Sequence, residues 1–440
     1  MSLTFDGILP AVRRAFHDVR ASVPENAVLV NRDLSGRVRL IVREVHETNS
    51  ELRPLLERVA HDLHRNLGPH GVPASGALLF EPDFDAVLAS SAPFPLYDDA
   101  SDVLVADRLA LETDWNVADV SPSTPRIVFY SVKGGVGRST ALAAAAWGLA
   151  ERGERVLVVD LDLESPGLST TILPDDRRPT FGLVDWLVED QVGAGDLVAR
   201  DMVAASGLHS DQDVLVVPAH GADPGEYIAK LGRAWVPKVE SDGNRIPWAT
   251  RVHRVLTELE QRHDRTVVLL DARSGLDEIA ALSVVGLGAE LVLAFATDAP
   301  TTWSAYGILF EHWKKLGVAH RIRDRLQVVG SLVPGEDPAD YMRAVREHAW
   351  STFLATMYDD APPTGASGVV SEPRDLFSFD LSEDSAPHAP WPVRWSPSFA
   401  SLATLHGRLA HTDATQVDAA FGRLISEIAT FTGRRDTIDP

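Results

Sequence analysis

Ten residues leave this chain little freedom: Ser131-Val-Lys-Gly-Gly-Val-Gly-Arg-Ser-Thr140, set between the apolar run Ile127 to Tyr130 and the alanine-rich run Ala141 to Glu151. Strand, glycine loop and helix in that order is the context in which backbone N–H groups converge on phosphate oxygens. Gly134, Gly135 and Gly137 have no side chains to block that approach, and the helix start adds its partial positive charge. A hydroxyl suited to magnesium follows at Ser139, with Thr140 the next hydroxyl within reach of the phosphates. The alternative is a glycine turn with no ligand, which rarely falls in this context by chance.

The polar stretch Asp119 to Pro125 reads as a linker between two regions of different character, and 440 residues fit one large or two medium domains. After it, apolar runs alternate with helical segments: Ile127–Tyr130, Val156–Val159, Val214–Val217, Val267–Leu270, Leu291–Phe295 and Leu326–Val329. This pattern predicts an α/β fold with a mostly parallel, doubly wound sheet covered on both faces, over residues 121–440. Residues 1–120 read as a small α+β domain. There, Ala27–Val30 and Val38–Val42 flank the turn-like Asp33-Leu-Ser-Gly36, as a hairpin would. Leu52–Leu67 has helical spacing with Gly68-Pro69 as its stop, and Val103–Leu111 with Asp114-Trp115 suggests a strand and closing turn.

Composition narrows the chemistry. The chain has no cysteine, which excludes disulfides, thiolate metal sites and a cysteine nucleophile, and fits a reducing compartment. A net charge of -22 repels nucleic acid and anionic membranes on average. Arg32, Arg37, Arg39 and Arg43, or Arg434 with Arg435, are interleaved with acids and read as solvated faces. No run reaches the roughly 18 apolar residues of a membrane span, so a cytoplasmic location is expected. His61 and His64 lie three apart on a helix, but no third ligand is evident and a solvated face is the expectation.

The loop Lys133-Gly-Gly-Val-Gly-Arg138-Ser139 resembles the deviant Walker A loop of the ParA/MinD branch of P-loop ATPases, in a KGGVGR variant group. The resemblance implies ATP and Mg2+ as cofactors, with Lys133, Gly134, Gly135, Val136, Gly137, Arg138, Ser139 and Thr140 around the nucleotide. It implies that Lys133 reaches the nucleotide of a second subunit in a sandwich dimer. Arg138 departs from the lysine usual against the β- and γ-phosphates: arginine keeps the charge but is bulkier, planar and forked.

Val156-Leu-Val-Val-Asp160-Leu-Asp162 resembles the family's switch I segment. The resemblance implies that Asp160 helps organise the magnesium shell and Asp162 orients the attacking water. Thr266-Val-Val-Leu-Leu-Asp271 matches the Walker B strand, which implies a magnesium role for Asp271 beside Ser139. Arg273 either senses the γ-phosphate or pairs with a nearby acid, with the pair slightly favoured. Asp213–Ala219 resembles the strand before the family's ligand-responsive loops, and Gly221–Pro247 reads as an irregular insertion suited to partner contact. No Asn/Thr-Lys-x-Asp pattern follows the strands ending at Phe295 or Val329, so adenine is favoured over guanine.

Toward the C-terminus, the pattern predicts a helix over Ala339–Met357, a polar loop through Pro363 and Gly368, and an edge strand at Phe377–Leu381. Trp391 and Trp395 are read as packing of a C-terminal extension, in preference to a docking surface. Val417–Phe431 is read as an amphipathic helix too diluted by acids for membrane targeting. The function expected is an ATP-dependent dimerisation switch with slow hydrolysis and a protein partner. The alternative is a degenerate nucleotide sensor or scaffold with negligible turnover because of Arg138. A kinase would want a tyrosine-rich tail, and the tail has none.

Overall fold

The computed structural model describes residues 4–91, 93–97, 100–109, 115, 118, 120–209, 213–359, 376–399 and 414–433. They fall into two compact units, Met1–Asn116 and Val117–Pro440.

The first unit is built on a mixed sheet. Its strands are β1 Val28–Arg32, β2 Val38–Arg43, β3 Leu78–Glu81, β4 Phe94–Tyr97 and β5 Ala100–Asp107, ordered β3-β2-β1-β5-β4. The expected hairpin is β1–β2, antiparallel with Val28 opposite Val42. Asp33 closes its turn by accepting the N–H groups of Ser35 and Arg37, and Gly36 supplies the left-handed residue at φ 75°. Alternation along the strands sends Leu29, Ile41, Leu104 and Ala106 to one face, against Phe84 of helix Phe84–Ala89. Helix Leu52–Leu67 buries Leu52, Leu56, Val59, Ala60, Leu63 and Leu67, and leaves His61 and His64 exposed. Among the described residues, no group of three His, Asp or Glu side chains could hold a metal. Asp114 lies outside the described residues.

In the second unit, β6 Arg126–Ser131, β7 Val156–Asp160, β8 Ala204–Ala205, β9 Val214–Val217, β12 Val267–Asp271, β13 Leu291–Ala296, β14 Leu326–Val333 and β15 Trp391–Arg394 make one sheet. The order is β15-β14-β13-β6-β12-β7-β9-β8, with every pair parallel except β8–β9. All six expected strands are present. Each residue of β6, β7, β9, β12 and β13 is buried, as covering both faces demands.

Helix Arg138–Ala150 is buried almost all round, with Ala141 to Ala146 against the sheet on one side. Helix Ala414–Gly433 packs against it and against β15, burying Val417, Phe421, Leu424, Ile425 and Ile428. The small side chains serve close approach: a Cβ on Gly148 would sit 2.7 Å from Ile425 Cδ1. The amphipathic C-terminal helix thus has its apolar face covered by β15 and by the helix that starts at the glycine loop. Among the described residues, no helix is long and apolar enough to cross a membrane.

Two expectations need correction. Phe377–Leu381 is not a strand, and the edge of the sheet is β15, parallel to β14. The aromatic alternation reflects ring packing instead: Phe377 and Phe379 both close on Tyr358, with centroids 5.8 and 5.5 Å away. Nor is Gly221–Pro247 irregular throughout. It contains helix Tyr227–Ala234 and a short antiparallel ladder of β10 Lys238–Val239 with β11 Arg245–Ile246. A helix of about two turns, preceded by Gly225 and interrupted by Gly232, is too short to show its period in the sequence. Of the two tryptophans, Trp391 packs against the main core and Trp395 is exposed. The loop through Pro363 and Gly368, with Arg434 and Arg435, lies outside the described residues.

Candidate functional site

Three strands end side by side beneath the glycine loop. Asp271, at the end of β12, is in register with Asp160 of β7 on one side and Phe129 of β6 on the other. In an open parallel sheet the crevice at the carboxyl ends of the strands is where loops from neighbouring strands converge. Here the loop after β12 is drawn back to β6: Ala272 N–H donates to the Phe129 carbonyl at 3.1 Å and Gly275 N–H to the Ser131 carbonyl at 3.1 Å. The Tyr130 hydroxyl, buried under the loop, donates to the Gly275 carbonyl.

Gly135 and Gly137 both adopt φ 77°, the left-handed region that disfavours a side chain. Gly137 is also the residue from which helix Arg138–Ala150 starts. A cavity of about 480 Å³ opens here, lined by Ser131, Gly134 to Thr140, Asp162, Glu164, Ser165, Arg273 and Ser274. Its charged walls are balanced, two arginines facing two acids.

Arg138 is the centre of the charge arrangement and is only 8% exposed. Its Nε donates to Asp271 Oδ1 at 2.7 Å, its Nη2 to Asp162 Oδ2 at 3.1 Å and its Nη1 to Ser131 Oγ at 3.4 Å. Burial works against the guanidinium charge, but Asp271 and Asp162 outweigh it and hold the group above its ordinary pKa. At Asp271 burial is the stronger influence and raises the carboxyl, against the opposing pull of Arg138 and a hydrogen bond from Ser139. Asp160 is fully buried behind this corner and accepts the Asp162 N–H at 3.1 Å.

At the cavity mouth Arg273 pairs with Glu164 at 2.7 Å and with Asp277 at 3.3 Å. The ion-pair alternative for this residue is the one the structure displays. Asp277 also caps helix Glu278–Val285 by accepting from Ile279 and Ala280 N–H. From the insertion, the Tyr227 hydroxyl donates to the Leu163 carbonyl at 2.6 Å, so helix Tyr227–Ala234 supports the loop after β7.

Of the residues read from the sequence, Gly134, Gly135, Val136, Gly137, Arg138, Ser139, Thr140 and Asp162 line one cavity. Asp160 and Asp271 lie beneath it. Lys133 is exposed, outside the lining, and without a hydrogen-bond or ion-pair partner among the described residues. Ser131, Glu164, Ser165 and Ser274 were not singled out, although Ser131 ends β6 and the other three follow a strand end within five residues, which was the available signal. The Ser139 hydroxyl and Asp271 carboxylate are hard oxygen donors in contact with each other, a set that suits magnesium in kind.

The second unit combines a parallel sheet with a glycine loop at the end of β6, and residues 124–210 match the family model described as an AAA domain. The matched stretch holds β6, the loop, its helix, β7 and the Asp160–Asp162 pair. No curated protein matches the chain. Among solved structures it is similar to the cell division ATPase MinD of Pyrococcus furiosus, at 19% identity over 70% of this chain and 99% of that one, TM-score 0.42. It is also similar to the septum site-determining protein MinD of Pyrococcus horikoshii OT3, complexed with Mg-ADP, at 19% identity over 70% and 98%, TM-score 0.43. A third is pNOB8 ParA bound to nonspecific DNA, at 17% identity over 72% and 100%, TM-score 0.41.

Proposed function

We propose that this protein is an ATP-dependent switch with slow hydrolysis, in which nucleotide promotes a homodimer that engages a protein partner in the cytoplasm. The observation that carries this reading is the glycine loop: two left-handed glycines open a helix N-terminus into a cavity that Asp162 also lines. Backbone N–H groups of Gly134 to Thr140 would hold the phosphates. Ser139 and Asp271 would hold magnesium, with Asp160 organising its shell; the ion would offset charge on the transferring phosphoryl group. Asp162 would orient the attacking water, since positioning and electrostatics dominate such transfers. Lys133, exposed and without a partner among the described residues, would reach across to a second protomer's nucleotide.

Residues 1–120 would form a separate domain that supplies partner specificity. The net charge of -22 weighs against direct nucleic-acid binding, and no membrane role is proposed. A second reading, a nucleotide sensor with negligible turnover, is favoured by one observation. Arg138 already engages both Asp162 and Asp271, the groups that turnover would require.

Turnover of Mg-ATP by the purified chain, beside Arg138→Lys and Asp162→Ala, separates the two, with oligomeric state recorded in ATP and in ADP. The switch predicts turnover that Asp162→Ala removes and a dimer only in ATP. Tight binding without turnover, restored by Arg138→Lys, would establish the sensor instead.

A further inference from the structure

Three carboxylates, Asp160, Asp162 and Asp271, crowd the strand ends beneath the phosphate loop, where a bound polyphosphate would add further negative charge. One cation is already among them. The Arg138 guanidinium bridges Asp162 and Asp271 with different nitrogens, Nη2 and Nε, while its remaining nitrogen meets Ser131. A lysine ammonium is a compact point charge, whereas the planar fork of arginine can hold two acceptors at fixed separation. Arg138 also lines the cavity, so the same group that pairs with Asp162 and Asp271 faces the place where phosphates would lie.

Resting on the nucleotide-binding reading, we propose that Arg138 takes the charge-balancing place of a divalent ion between Asp162 and Asp271, so that this loop binds ATP with little dependence on Mg2+. Two physical arguments support this. A phosphate entering the loop meets a corner where one unit of the carboxylate charge is already offset, and so relies less on a divalent ion to relieve repulsion. Magnesium, for its part, sheds water reluctantly and requires near-octahedral oxygen ligands, and Asp271 is already engaged by a buried guanidinium. The metal would therefore matter for hydrolysis and little for binding, which separates two steps that depend on one ion when the loop carries lysine.

The test is equilibrium titration of ATP into the full chain, once with Mg2+ and once with EDTA, for the wild type and Arg138→Lys. The wild-type dissociation constant should change by no more than about threefold between the two conditions, and that of Arg138→Lys by at least about tenfold. Mg2+ added without nucleotide should leave the wild-type melting temperature unchanged. A wild-type affinity that falls about tenfold or more in EDTA would overturn the inference while leaving the nucleotide reading standing. That comparison needs no variant, so a misfolded Arg138→Lys does not blunt it. Failure of the wild type to bind ATP in either condition would remove the nucleotide reading and the inference together.

Discussion

Strand β6 has an arginine near each end, and the two are put to opposite uses. At its start, Arg126 is fully buried, and its guanidinium makes five contacts: two to Glu260 and one each to His253, Thr257 and the Leu287 carbonyl. A guanidinium has five N–H donors, so this end is saturated and closed. Burial, aided by the charge of Arg126, lowers the His253 pKa and so favours the neutral ring, which can accept. Just past its other end, Arg138 makes three such contacts, one of them stretched to 3.4 Å, and borders the cavity. Both are buried ion clusters beside the same strand, yet only one retains donors and a surface for a ligand. Burial of charge alone therefore does not mark a site; incomplete satisfaction beside an opening does.

The comparison can be broken most sharply at its closed end. Glu260→Ala leaves Arg126 buried without its counter-charge and should cost about 3–5 kcal/mol of stability, read from denaturant unfolding. A loss below about 1 kcal/mol would mean that the closed end is not structural in this sense. At the open end Asp162→Ala should cost little stability but lower ATP turnover by on the order of a hundredfold, with ATP binding retained. Unaltered hydrolysis would remove Asp162 from the water-orienting role.

A third cluster sharpens the contrast through pH. Asp190 is met by Arg251, Lys238 and Arg254, and Arg251 is fully buried. Burial pushes the Asp190 carboxyl up, but hydrogen bonds from Arg251 and Lys238 and the nearby charges outweigh it, leaving the pKa below 3.8. A depressed carboxylate pKa stabilises the fold above the ordinary carboxylate range, and that contribution is lost as pH falls through the lower folded value. Acid unfolding should therefore loosen the insertion, with Asp190→Asn showing a flatter pH dependence below pH ~4.

Smaller effects follow. Tyr227→Phe removes the bond from the insertion to Leu163 and should cost about 1 kcal/mol, measured by thermal unfolding. Lys133→Ala should change stability by no more than about 0.5 kcal/mol, because the side chain is exposed, and yet abolish the ATP-dependent dimer in light scattering. A dimer that persists unchanged would remove Lys133 from the interface.

Much of the second unit was legible because its signals are local. Uninterrupted apolar runs such as Val156–Val159 and Val267–Leu270 report strands buried on both faces, and three glycines within four residues report a loop that excludes side chains. The site was legible wherever a residue sits at a strand end or in that loop. What escaped depends on distant partners. Nothing near Arg138 in the sequence shows that its guanidinium turns to Asp162 and Asp271, 24 and 133 positions away. Phe377 and Phe379 alternate as a strand would, and only Tyr358 explains them as a ring cluster.

Whether the open end of β6 is a nucleotide site is decided by calorimetric titration of Mg-ATP into the full chain, with Gly135→Val as the control. Gly135 sits at φ 77°, where a β-branched side chain is strained, so the substitution should deform the loop and leave the rest of the fold intact. Saturable binding at one site per chain is expected, weakened at least about tenfold in Gly135→Val. Absence of saturable binding to ATP, ADP and GTP by the folded wild-type chain would contradict it.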